Sequence, residues 1–239
     1  MPRSALFVVD IQHELAESPA TRIPHHARIT RASTQILAAA RRILDAYRAP
    51  SSSSPQTTTQ TQIQQSPSII VFVQHEEQVP EGSSSSSFSE QATLIRGSAA
   101  WQLTFPPREG VREELLVAKT TRNTFESNPN LAAQLKSQDI TELTIFGLQS
   151  DLCVRSTSLG ALEHGFKVTL LQGAHSTYDA ATTDGSKEAL PGKTAVQIEQ
   201  EVEDELRRAG AEIVPWENAL ALWEQRRMIS TYSVFSELV

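Results

Sequence analysis

Six short runs, almost every one apolar throughout, alternate along this chain with segments of helical spacing, and that alternation constrains the fold more than any other feature. Residues 5–9, 69–73, 115–118, 143–146, 167–171 and 212–214 read as strands. A strand exposed on one face alternates apolar with polar residues, whereas a run such as Ala-Leu-Phe-Val-Val has no polar side to give to water. Such strands are buried on both faces. Residues 27–48 carry Ile29, Ile36, Leu37, Ala40, Ile43, Leu44 and Tyr47 at helical spacing. Asn128-Pro129 is expected to open a helix to about 136, with cap and proline in the favoured order. Further helices are expected over 151–164, 193–209 and 216–226; in the 193–209 segment Val196, Ile198, Val202 and Leu206 are the apolar members. The pattern predicts an α/β fold: a three-layer α/β/α sandwich around a mostly parallel, Rossmann-like six-stranded sheet.

The whole chain, 1–239, reads as one domain with two low-complexity interruptions. Residues 49–66 are dominated by Ser, Thr, Gln and Pro and bury too little apolar area to offset the entropy of ordering. They are a loop insertion, as is the Ser-rich stretch at about 81–90. The formal net charge of -7 argues against nucleic acid or an acidic membrane as partner. One cysteine excludes an intrachain disulfide and any Cys-rich zinc site, and fits a reducing compartment. The opening apolar run is interrupted by Asp10 and Gln12 too early for a signal peptide, and no stretch approaches the ~18–20 apolar residues of a membrane span. A cytoplasmic protein is expected.

Ligands of open parallel sheets bind beyond the carboxyl ends of the strands. Three chemically capable residues fall there: Asp10, Lys119 and Cys153. Gly147 is expected to end its strand, and Ser150 or Asp151 to cap a helix carrying Cys153 in its first turn. Unpaired N–H groups and the helix dipole at that place favour thiolate. If the strands are neighbours, the three side chains converge on one crevice. Asp10 would then accept the thiol proton, and Lys119 would hold Asp10 ionised and favour the thiolate.

Four segments give the chain a family likeness: Ala-Leu-Phe-Val-Val-Asp10-Ile-Gln12; Ile95-Arg-Gly97-Ser98-Ala-Ala-Trp101-Gln-Leu103; Val117-Ala-Lys119-Thr-Thr-Arg-Asn123-Thr-Phe125; and Gly147-Leu-Gln-Ser-Asp-Leu-Cys153-Val154-Arg155-Ser-Thr157. In this order and spacing they resemble the isochorismatase-like cysteine hydrolases, a superfamily that includes nicotinamidases, carbamoylsarcosine and ureidoacrylate amidohydrolases and isochorismatases. The resemblance implies an Asp10–Lys119–Cys153 triad. It also implies a cis Leu148–Gln149 peptide that turns the Gln149 N–H beside that of Cys153 as an oxyanion hole. The activity implied is hydrolysis of an amide, carbamoyl or ureido C–N bond of a small molecule through a thioester. Isochorismatases proper, which cleave a vinyl ether, generally lack this thiol; vinyl ether hydrolysis is the alternative on this fold, with a non-hydrolytic binding protein or a thiol-redox protein. Self-association into a dimer or tetramer is also implied.

Gln12, Leu15, His75, Trp101 and Phe125 are the candidate pocket residues, although Gln12 also suits bracing of the Asp10 loop. Val73-Gln74-His75-Glu76-Glu77 lacks the Asp-x-His metal motif of nicotinamidases, so neither metal nor cofactor is expected. His175 suits packing or a subunit contact. His13, His25, His26 and His164 show no metal-ligand spacing.

Overall fold

The computed structural model describes residues 3–48, 66–78, 93–180 and 192–232. The insertion expected at about 49–66, apart from Ser66, and the Ser-rich loop at about 81–90 lie outside the described residues. Strands β1 (Arg3–Val9), β2 (Ser68–His75), β3 (Glu114–Lys119), β4 (Ile140–Leu148), β5 (Lys167–Ser176) and β6 (Glu212–Pro215) form one sheet. Their order is β3-β2-β1-β4-β5-β6, and every pair is parallel.

The unbroken apolar runs of the four inner strands are explained by two separate cores; the 115–118 run is not buried as expected, because β3 is an edge strand and leaves Leu116 52% exposed. Leu6 and Val8 of β1, Ile70 and Phe72 of β2 and Phe146 of β4 face α2 (His26–Arg48) and α7 (Trp216–Arg226), meeting Ile29, Ile36, Leu44 and Trp223. The alternate residues Phe7, Val9, Val71, Val73 and Ile145 face the other way. They meet α4 (Leu131–Lys136), α5 (Arg155–Glu163) and α6 (Ala195–Arg208) through Leu135, Ala161, Val202 and Leu206. Each such large side chain contributes about 1.5–3 kcal/mol on burial. Short helices α1 (His13–Ala16) and α3 (Thr124–Ser127) follow β1 and β3.

Three local expectations need correction. The helix expected from Asn128-Pro129 to about 136 is α4, which ends at Lys136 but begins at Leu131 after Asn130. Asn123 caps α3 by accepting the Phe125 N–H at 3.0 Å, and Asn128 closes it, its amide donating to the carbonyls of Ala118 and Thr124. Val196 is 56% exposed, because the buried stripe of α6 runs through Ala195, Ile198, Val202 and Leu206. Gly147 does not end β4; the strand continues to Leu148. Gly147 pairs with Val9 at φ 132°, and a Cβ added there would stand 2.1 Å from the Val9 carbonyl oxygen. The two central strands approach so closely at this point that only glycine fits.

Chain order reverses between β1 and β4, which makes the carboxyl end of that pair the place for a ligand. Asp10 lies one residue beyond β1, and Cys153 in the turn after β4.

Candidate active site

Asp10 turns the chain sharply at the sheet edge. Its φ is 48°, a left-handed conformation that Asp tolerates better than most residues. Its N–H donates to the Val73 carbonyl, and its own carbonyl accepts from the Gln12 N–H at 2.9 Å. Lys119 closes β3, with β2 between it and β1. Its long side chain crosses the end of β2. Nζ stands 2.8 Å from Asp10 Oδ2, 3.1 Å from Cys153 Sγ, 3.1 Å from the Thr121 carbonyl and 3.2 Å from His75 Nδ1.

An ammonium has three N–H donors and no acceptor. Those donors are matched by Thr121, Cys153 and His75. Asp10 is held by its ion pair with this ammonium. Beyond that ion pair, neither of its buried oxygens meets a hydrogen-bond donor among the described residues. Burial alone would lower the Lys119 pKa, but the Asp10 carboxylate and the Cys153 sulfur outweigh it and raise it. Lys119 is a cation throughout the ordinary pH range.

Local reasoning favoured a thiolate, and the structure reverses that. Burial, then the Asp10 carboxylate, push the Cys153 thiol up to about 12, against the opposing pull of Lys119. The resting site is thus thiol, carboxylate and ammonium. Cys153 lies in the first turn of a helical run, as expected; that turn, Ser150–Val154, is a wide π-type turn that continues directly into α5 at Arg155. Neither Ser150 nor Asp151 caps a helix. Ser150 Oγ is 2.8 Å from Nδ1 of the buried His175, and Asp151 Oδ1 accepts from Thr177 Oγ1 at 2.6 Å. His175 in turn lies 3.4 Å from Glu203 on α6. The end of β5 thus holds the cysteine turn from outside. The peptide Leu148–Gln149 is cis.

Above these groups opens a cavity of about 830 Å³, lined by Asp10, Leu15, His75, Leu148, Gln149 and Cys153 among others. Lys119 lies beneath it, its side chain fully buried. Of the candidate pocket residues, Leu15 and His75 line the cavity; three do not. Gln12 is completely buried and braces the loops: its amide donates to the carbonyls of His75 and Trp101 and accepts from the His75 N–H. Trp101 contributes that carbonyl, which Gln74 also uses, and its ring stays off the cavity wall. Phe125 belongs to the core, stacked on Phe7 and Phe166 with centroids 6.0 and 5.9 Å apart. The aromatic chemistry was readable, but the direction of each ring is set by neighbours distant in sequence.

The cavity also takes in Glu14, Arg122, Leu152 and Tyr178, none of which was anticipated. Arg122 and Leu152 sit inside the quoted motifs, one beside Asn123 and the other beside Cys153, so their position was the available signal. Tyr178 donates to the Thr21 carbonyl, tying the far rim together. His75 is kept neutral: burial lowers its pKa, Lys119 lowers it further, and Asp10, Glu77 and Glu76 oppose. His164 packs on the Phe125 ring with centroids 5.3 Å apart.

Among the described residues no group of three or more His, Cys, Asp or Glu is placed to hold a metal ion. After β2, Nδ1 of His75 meets Lys119, and Glu77 accepts from the N–H groups of Thr93 and Leu94. No helix among these residues is long and apolar enough to cross a membrane.

Two streptothricin hydrolases from Streptomyces noursei are each 36% identical over 91 residues, 38% of this chain. That stretch is 35% of one and 32% of the other, so the chain spans about a third of the length of these relatives. A cysteine hydrolase from Pseudomonas syringae superposes with a TM-score of 0.67 at 17% identity, covering 93% of each chain. Pyrazinamidase of Pyrococcus horikoshii, in complex with zinc, gives 0.60 at 21% identity, covering 90% of this chain and 99% of its own. These two share the fold. The Isochorismatase domain model matches residues 4–202, and the chain belongs to the isochorismatase family of hydrolases.

Proposed function

We propose that this hydrolase cleaves the C–N bond of a small amide, carbamoyl or ureido compound through a thioester on Cys153. The observation that carries the reading is one buried ammonium joining a carboxylate and a thiol at the floor of a cavity. With its pKa pushed up to about 12, the thiol keeps its proton until substrate arrives. Asp10 has no donor on its oxygens beyond the Lys119 ion pair and can take that proton. As Sγ adds to the carbonyl carbon, the proton passes to Asp10 while Lys119 holds the sulfur. The N–H groups of Gln149 and Cys153 receive the oxyanion. Collapse breaks the C–N bond, and Asp10 returns the proton to the departing nitrogen. Water, deprotonated by Asp10, then hydrolyses the thioester and regenerates the thiol.

The likeness to streptothricin hydrolases puts streptothricin on the substrate panel, beside simple amides and ureido acids. The test is nitrogen release from that panel by the wild type and by Cys153→Ala, with mass spectrometry of the intact protein during turnover. Release that disappears in the variant, together with an acyl adduct on Cys153, supports the reading. Release that survives the substitution rejects the cysteine mechanism.

A further inference from the structure

His75 contacts the same ammonium as the nucleophile. Nδ1 lies 3.2 Å from Lys119 Nζ and the Cys153 sulfur 3.1 Å from it, so ring and sulfur are separated by no more than two such contacts. Lys119 has no lone pair to offer, and Nδ1 can meet it only as an acceptor. In a neutral imidazole the proton then sits on the other nitrogen. The ring lines the cavity, and Nε2 has no hydrogen-bond partner among the described residues. The backbone around it is fixed as well. Gln12 grips both the N–H and the carbonyl of His75, at 3.1 and 2.9 Å.

We infer that His75 is a specificity-determining residue: Lys119 locks it as an Nε2–H donor, which selects substrates carrying a hydrogen-bond acceptor within a few bonds of the carbonyl that Cys153 attacks. This rests on the nucleophilic reading of Cys153 and adds a substrate class to it. An ether oxygen, a second carbonyl or a ring nitrogen on the acyl part satisfies the donor. A purely hydrocarbon acyl group leaves it unpaired, and an ammonium at that place repels it together with Lys119.

Matched activated esters test this without knowledge of the natural substrate. The pairs are p-nitrophenyl methoxyacetate with butyrate, and p-nitrophenyl 3-methoxypropanoate with pentanoate; within each pair only the ether oxygen differs from a methylene. In each reaction the Sγ–acyl bond forms, the aryl ester C–O bond breaks, p-nitrophenolate leaves and the thiol proton goes to Asp10. The rate ratio of ether to hydrocarbon ester should be about 3- to 10-fold higher in the wild type than in His75→Phe for at least one pair, the worth of one neutral hydrogen bond. Comparing ratios cancels the intrinsic reactivity of the esters and any general damage from the substitution. Acylation of Cys153 with both ratios unchanged in His75→Phe overturns the inference alone. No acylation of the wild type by any ester overturns the nucleophile and this inference together. As a readout independent of activity, imidazole ¹⁵N NMR, assigned by loss of the signals in His75→Phe, should show a neutral ring at pH 7 with the proton on Nε2. A proton on Nδ1, or an imidazolium, overturns the inference.

Discussion

Strand β3 is anchored by a buried charge at each end, and the carboxylates paired there are treated in opposite ways. At its start, Glu114 accepts four hydrogen bonds: Oε1 from the Nε groups of Arg41 and Arg108, Oε2 from Arg41 Nη2 and the Arg108 N–H. Burial would raise its pKa, but these donors outweigh burial and hold it below the usual carboxylate range. At the other end, Lys119 faces Asp10, whose two oxygens meet no further hydrogen-bond donor among the described residues. The first carboxylate has every lone pair engaged and cannot accept a proton without losing bonds. The second is buried and has only the Lys119 ion pair to hold it. A carboxylate saturated with donors is scaffold; one held by a single ion pair beside a thiol is equipped to act as a base.

Substitutions can break this contrast, and the largest effects belong at the cavity end. Cys153→Ala should lower turnover about 10⁴-fold or more, with the thermal midpoint retained. Asp10→Asn should cost about 10²–10⁴-fold, the range for a lost general base. In the same variant Cys153 should alkylate several-fold faster with iodoacetamide at pH 8, because the Asp10 carboxylate is one of the causes that raise the thiol pKa. Turnover and alkylation moving in opposite directions would sharpen the comparison; a parallel fall in both would break it. Lys119→Met leaves the Asp10 charge buried without its partner, and should cost about 3–5 kcal/mol in urea unfolding besides abolishing turnover.

At the scaffold end the effect is smaller and of another kind. Glu114→Gln should cost about 1–3 kcal/mol of stability at pH 7 and leave kcat nearly unchanged. Its pH dependence follows from the lowered pKa of Glu114 in the folded state. The carboxylate contributes stability above its unfolded value of about 4.3 and loses it as pH falls through the lower folded value. The stability gap between wild type and Glu114→Gln should therefore close on acidification. A gap that widens below pH 4 would contradict the assignment of Glu114 as a satisfied anion.

How much of this was readable in the residues depends on the range of the forces involved. The sheet was readable because burial on both faces is written locally, as runs such as 5–9 without a polar residue. Asp10 and Lys119 stood out because each interrupts such a run at its end. The protonation state of Cys153 was not readable. The N–H groups and dipole that suggested thiolate are local, whereas the matter is decided by burial in the folded chain and by the charge of Asp10, at the end of another strand. Phe125 failed for the same reason, since a motif gives a residue's place along the chain but not which neighbour its side chain meets, whereas the bracing role read for Gln12 is the one its hydrogen bonds show. Asn128 was misplaced because a cap-and-proline pair fits the end of one helix as well as the start of the next.

The close approach of Gly147 to Val9 has a mutational consequence. The base and the nucleophile hang from two strands whose spacing is set, one residue short of Asp10, by the absence of a methyl group. Nothing at position 147 needs to touch a bound molecule, yet a saturation library selected for activity should return a single letter there. Alanine would fail in it as completely as tryptophan, since the first carbon already collides and size beyond it adds nothing.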